Sequence, residues 1–137
     1  MTNRIHHDDE PGVVTLADEL LTTLWSFEDF SRSMDTIAIT IENSVTVLDQ
    51  FVVEGQVVKN GPYYILANAT AHFTKATYAE FIRAALDDAG AAVDPTALGA
   101  TGKALIVIDC RGFYGIRIRA ARATGSASVL TIKTGGD

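Results

Sequence analysis

KALIVIDCRGFYGIRIRAARATGSASVLTIKTG, residues Lys103 to Gly135, decides the fold of this chain. It reads as three strands in succession, Ala104–Cys110, Tyr114–Ala121 and Ser128–Thr134. Arg111-Gly112 makes the first break and Thr124-Gly125-Ser126 the second. Ile116, Ile118 and Ala120 alternate with Arg117, Arg119 and Ala121, so one face meets a core and the other meets water. Three short runs of this kind, joined by turns, predict antiparallel sheet.

The preceding segments repeat the pattern. In Thr36–Glu42, Ile37, Ile39 and Ile41 alternate with Ala38, Thr40 and Glu42, which is a half-buried strand turned by Asn43-Ser44. Val45–Val58 supplies another strand or pair. Lys59-Asn60-Gly61-Pro62 is the strongest turn signal in the chain, and Tyr63–Ala67 follows as a short strand, so Phe51–Leu66 reads as a hairpin. Val13–Asp35 fits two readings. Leu21, Thr23, Trp25 and Phe27 alternate as in an extended segment feeding a first strand, while Leu16, Leu20, Leu24 and Phe27 have helical spacing. Thr74–Gly90 changes period: Tyr78, Phe81, Ile82, Ala85 and Leu86 fall on one helical face, with Thr77 and Glu80 as a cap and Gly90 as a stop. Met1–Gly12 is polar, charged and closed by Pro11-Gly12, which predicts a flexible arm. The expected architecture is all-β: one antiparallel β-sandwich over residues 13–137, jelly-roll-like, with one short helix and an N-terminal arm over residues 1–12.

A chain of 137 residues that is 47% hydrophobic can bury a core without a disulfide or a metal. The net charge of −6 disfavours non-specific binding to nucleic acid or an anionic membrane. MTNRIHHDDEPG lacks the apolar centre of a signal peptide, and no apolar run approaches the roughly 20 residues that span a bilayer. The expectation is synthesis in the cytoplasm, with no direct nucleic-acid or membrane partner.

Several groups hold the right atoms for chemistry. His6-His7-Asp8-Asp9-Glu10 carries metal-ligand types, but in an arm with no framework to set their geometry. Cys110 with His72 and Asp109 invites a nucleophile reading, yet its flanks match no hydrolase or thiol-protease pattern, and it ends an apolar strand like a buried small hydrophobe. Asp87-Asp88 with Asp94 lacks the alternating ligands of a calcium loop. Asn68-Ala69-Thr70 fits the glycosylation pattern without a secretion signal. The expectation is therefore no catalytic residue, no cofactor and no metal. Arg117 and Arg119 share a strand face, Arg122 follows, and with Lys133 and Arg111 they read as a basic stripe. On an acidic protein such a stripe suits a subunit contact. The arm residues Ile5, His6, His7 and Pro11, with Arg117, Arg119 and Arg122, are the candidate protein contacts. Trp25, Tyr63, Tyr64, Phe73 and Tyr78 include candidates for a sugar-stacking platform.

The order Asp35-Thr36-Ile37-Ala38-Ile39, Leu48-Asp49-Gln50-Phe51, Ile65-Leu66-Ala67, Leu105-Ile106-Val107-Ile108-Asp109, Gly112-Phe113-Tyr114-Gly115-Ile116-Arg117 and Ser128-Val129-Leu130-Thr131-Ile132 resembles small β-sandwich proteins among the structural genes of tailed phages and prophages. The likeness runs from Val13 to Gly136. It implies a non-enzymatic virion part of the capsid-decoration or head–tail accessory type. Such a protein is present in many copies, forms homo-oligomers and binds major capsid or head–tail neighbours. A carbohydrate-binding sandwich for host adsorption, using Trp25 or Tyr63 and Tyr64, is the alternative from a different class. A small enzyme built on Cys110 is the third.

Overall fold

The computed structural model describes residues 12–28 and 35–135. Its nine strands are β1 (Gly12–Leu16), β2 (Thr22–Glu28), β3 (Thr36–Ser44), β4 (Leu48–Gln56), β5 (Tyr63–Ala67), β6 (Ile82–Leu86), β7 (Lys103–Asp109), β8 (Gly115–Arg122) and β9 (Ser128–Gly135). They form two antiparallel sheets, ordered β1-β9-β3-β7-β6 and β2-β8-β4-β5. Leaving β6 aside, successive strands change sheet at every step except the β4–β5 hairpin, as in a jelly roll. β6 is an added strand outside β7.

The alternating residues meet between the sheets. Ile37, Ile39 and Ile41 of β3, Ile106 and Ile108 of β7, Leu130 and Ile132 of β9, Ile116 and Ile118 of β8, and Phe51 and Val53 of β4 are all buried in one cluster. Phe73, from a 3-10 turn at Thr70–Phe73, meets Phe51 edge to face at 5.7 Å between centroids. Burying a side chain of that size contributes about 2–3 kcal/mol.

Two expectations need correction or completion. Residues 74–90 are not a helix: 3-10 turns at Thr70–Phe73 and Lys75–Thr77 lead into β6. The register against β7 shifts between Ile82 and Ala84, so Ile82 and Ala85, three apart, are both buried in one sheet. That bulge imitates a helical period. Thr77, expected to cap the helix, instead donates its hydroxyl to the Ala71 carbonyl at 2.6 Å. The ambiguous 13–35 segment resolves as two strands in different sheets, β1 on β9 and β2 on β8. The proposed arm, with Ile5, His6, His7 and Pro11, lies outside the described residues, apart from Gly12, which opens β1.

Asn43 continues the inward parity of Ile37, Ile39 and Ile41, and it is 1% exposed. Its amide nitrogen donates to the carbonyls of Thr46 (2.8 Å), Leu98 (3.2 Å) and Gly99 (3.3 Å). The Ser128 hydroxyl donates to its oxygen, with the carbonyls of Thr46 and Ser44 also in reach at 2.8 and 3.1 Å. One side chain thus joins the β3–β4 turn, the 98–99 loop and the start of β9. In that turn Val45 has φ +83°, a left-handed conformation that a β-branched residue resists. Val45 is exposed and contributes little packing. Val45→Gly is therefore expected to stabilise the protein by about 1 kcal/mol, relief of strain exceeding glycine's entropy in the unfolded chain. Urea unfolding reads this directly, and a lowered midpoint would contradict it.

Candidate functional site

Arg117 and Arg119 lie on the outer face of the β2-β8-β4-β5 sheet, and the register brings Glu54 of β4 opposite Arg117. Glu54 is buried although it points outward. Arg117 Nε and Nη2 each approach Glu54 Oε1 at 2.7 Å, and Arg119 Nη1 lies 3.7 Å from Oε2. The Arg117 guanidinium also sits over the Tyr63 ring, 4.0 Å from its centroid. The strand face read as solvated is thus half-buried and organised around a carboxylate.

The basic stripe divides. Arg122 leaves it: buried at 8% exposure, it donates to the carbonyls of Ala17 (3.0 Å) and Ala123 (2.8 Å) and pairs with Glu19 at 3.3 Å. It ties β8 to the connection between β1 and β2. Lys133 belongs to β9 in the other sheet. Arg111 turns to Asp109, which is buried at the end of β7. Asp109 Oδ1 accepts from Arg111 N (3.0 Å) and Nε (3.1 Å), and Oδ2 accepts from Arg111 Nη2 (3.0 Å) and Arg83 Nη2 (2.6 Å). These bonds, Arg111's first, hold the Asp109 carboxyl well below the usual carboxylate range, against the opposing effect of burial.

Cys110 is buried, and desolvation with the neighbouring Asp109 charge pushes its thiol up to about 11. A thiol so placed is overwhelmingly protonated at neutral pH, as a core residue should be. His72 faces elsewhere: its Nδ1 accepts the backbone N–H groups of Asn68 (3.0 Å) and Ala69 (3.2 Å). The acidic loop residues brace turns. Asp87 Oδ1 accepts from the Ala89 and Ala91 N–H groups, and Asp94 accepts from Thr96 and from the Thr70 hydroxyl. Asp88 lies 3.8 Å from Lys103, beside a groove of about 530 Å³ that Thr40, Glu42, Leu86 and Lys133 also line. Lys103 pairs there with Glu42 as well, again at 3.8 Å, so the groove's charges face one another.

Among the aromatic candidates, Trp25 packs against the core, Phe73 is buried, and the Tyr78 hydroxyl accepts the Ala85 N–H. Tyr64 is 59% exposed. It is one of four exposed apolar residues of the β4–β5 hairpin, with Ile65, Val57 and Val58, each more than half exposed. β5 is the outer strand of its sheet and carries no charge. Pro62 precedes it and the register shifts near its end, so this edge offers side chains more than a long backbone ladder. At the far edge of the other sheet, Ala91–Val93 bond back to β6 and cover it. Sequence reasoning missed Glu54 and the hairpin surface. A lone carboxylate inside Phe51-Val52-Val53-Glu54-Gly55 was the available signal for a partnered charge.

No protein-family model matches the chain, and no curated protein matches it. Among solved structures, the crystal structure of the SPBc2 prophage-derived protein YomS is similar, with a TM-score of 0.43 and 12% identity, covering 91% of this chain and 95% of that one.

Proposed function

We propose that this chain is a non-enzymatic structural protein of a tailed-phage virion, of the capsid-decoration or head–tail accessory type, acting through repeated protein–protein contacts. The observation that carries the reading is the exposed apolar residues of one hairpin, Val57 and Val58 in its turn and Tyr64 and Ile65 on its uncharged edge strand, on a chain of net charge −6. Water-facing apolar residues gathered at one edge suit a contact that closes on assembly. The acidic remainder keeps unassembled copies apart. The sequence resemblance to phage sandwich proteins supplies the setting. Repetition around a symmetric shell lets a modest contact hold firmly. The arm and the Arg117–Arg119 face are secondary contact candidates in this reading.

The test is composition. Particles purified from an induced lysate are expected to contain this chain in many copies by quantitative mass spectrometry. A chain abundant in the lysate yet absent from banded particles overturns the proposal.

A further inference from the structure

The chain places three described asparagines in three different settings. Asn43 is buried and its amide is held on both sides, as above. Asn68 is followed by Ala69, whose N–H is donated to His72. Asn60 is exposed at the tip of the β4–β5 hairpin, and among the described residues its side chain makes no hydrogen bond. It occupies the third position of the turn closed by Gly61 N–H to Val58 O at 2.9 Å, with φ +62°. Asparagine and glycine are the residues that accept this conformation. The next residue is Gly61, which has no Cβ to hinder approach to its nitrogen.

We infer that Asn60 is a site of spontaneous deamidation in the folded protein. The Gly61 backbone nitrogen attacks Asn60 Cγ and forms a five-membered succinimide. The side-chain amide nitrogen leaves as ammonia, and the proton lost from Gly61 N balances the step. Solvent water then opens the ring. Cleavage at the Cγ–N bond leaves aspartate in the normal chain, and cleavage on the other side leaves isoaspartate, with one extra methylene in the backbone. The single bond from Gly61 N–H to Val58 O is what must open first, and it lies in an exposed turn. Asn43 is the internal opposite: the same chemistry is barred there by its bonds and burial.

Either product adds a carboxylate beside Lys59. Isoaspartate also lengthens a turn whose Gly61 carbonyl accepts the buried Gln56 side chain at 2.9 Å. The change therefore falls in the turn between the exposed Val58 and Tyr64. The reaction itself does not depend on what the hairpin binds, so it stands or falls apart from the virion proposal.

The experiment ages the full-length protein at physiological temperature and follows peptides by mass spectrometry, with isoaspartate methyltransferase as the label. The expected result is conversion confined to Asn60, isoaspartate in excess over aspartate, and faster reaction in mildly alkaline than in mildly acidic buffer. Asn60→Gly keeps a residue suited to φ +62° and should abolish the label. Circular dichroism on the aged sample confirms that the fold is retained. Two outcomes overturn the inference. One is an Asn60 amide that stays intact while a synthetic 56–66 peptide converts. The other is conversion at Asn68 as fast as at Asn60.

Discussion

Asn43→Ala is expected to lower the unfolding free energy by about 3 kcal/mol, a large share of the roughly 5–15 kcal/mol that holds a domain together. The substitution removes the donor to three carbonyls and the acceptor for Ser128, all at one buried point. Leu98 and Gly99 lose their bond from the amide, and the turn after β3 loses its anchor to the loop. Asn43→Asp should be worse, at about 4 kcal/mol or more, because a carboxylate would face three carbonyl oxygens with nothing to donate. Ser128→Ala is expected to cost about 1.5 kcal/mol, and the double variant less than the sum, since both belong to one network. Urea midpoints at neutral pH check all of these. An aspartate variant as stable as the alanine one would show that the amide is not the donor.

The second large effect is on acid stability. Asp109 titrates lower in the folded chain than in the unfolded one, because Arg111 and Arg83 favour its charged form. A depressed carboxyl contributes stability that is present above the unfolded value of about 3.9 and is lost as pH falls below it. The wild-type protein should therefore weaken between about pH 4 and the lower folded value. Asp109→Asn keeps the shape but gives up the charge-assisted bonds, which should cost about 2 kcal/mol at neutral pH. The gap between variant and wild type should narrow as the wild-type carboxyl protonates. Chemical denaturation across the acid range tests the sign, and two parallel pH profiles would rule out Asp109 as the source.

The strands that sequence periodicity located well were those with a clean two-residue alternation. Thr36–Glu42, Tyr63–Ala67 and the last three strands emerge within a few residues of where they were expected. β6 did not, because its bulge places Ile82 and Ala85 on one side and so mimics a turn of helix. β1 and β2 carried both periods at once, and their separation into two sheets depends on partners about 100 residues away. The same distance hid the site. Alternation on β8 correctly put Arg117 and Arg119 on the outer face, but nothing local says that Glu54, 63 residues earlier, lies opposite. Asn43 was closer to legible: its parity with three buried isoleucines already pointed it inward, though its neighbour Ser44 made the pair read as a turn.

β1 is bonded to β9 and to no other strand of its sheet. The first described strand thus waits for the last described one before it has a partner, and β2 waits for β8 in the same way. At about 5–20 residues per second, a ribosome takes on the order of ten seconds to make such a chain. For most of that time only β4 and β5 have each other to pair with, since β3 must wait for β7 and β9. Both sheets are therefore completed late, and β1 and β2 stay without their partners until β9 and β8 have been made.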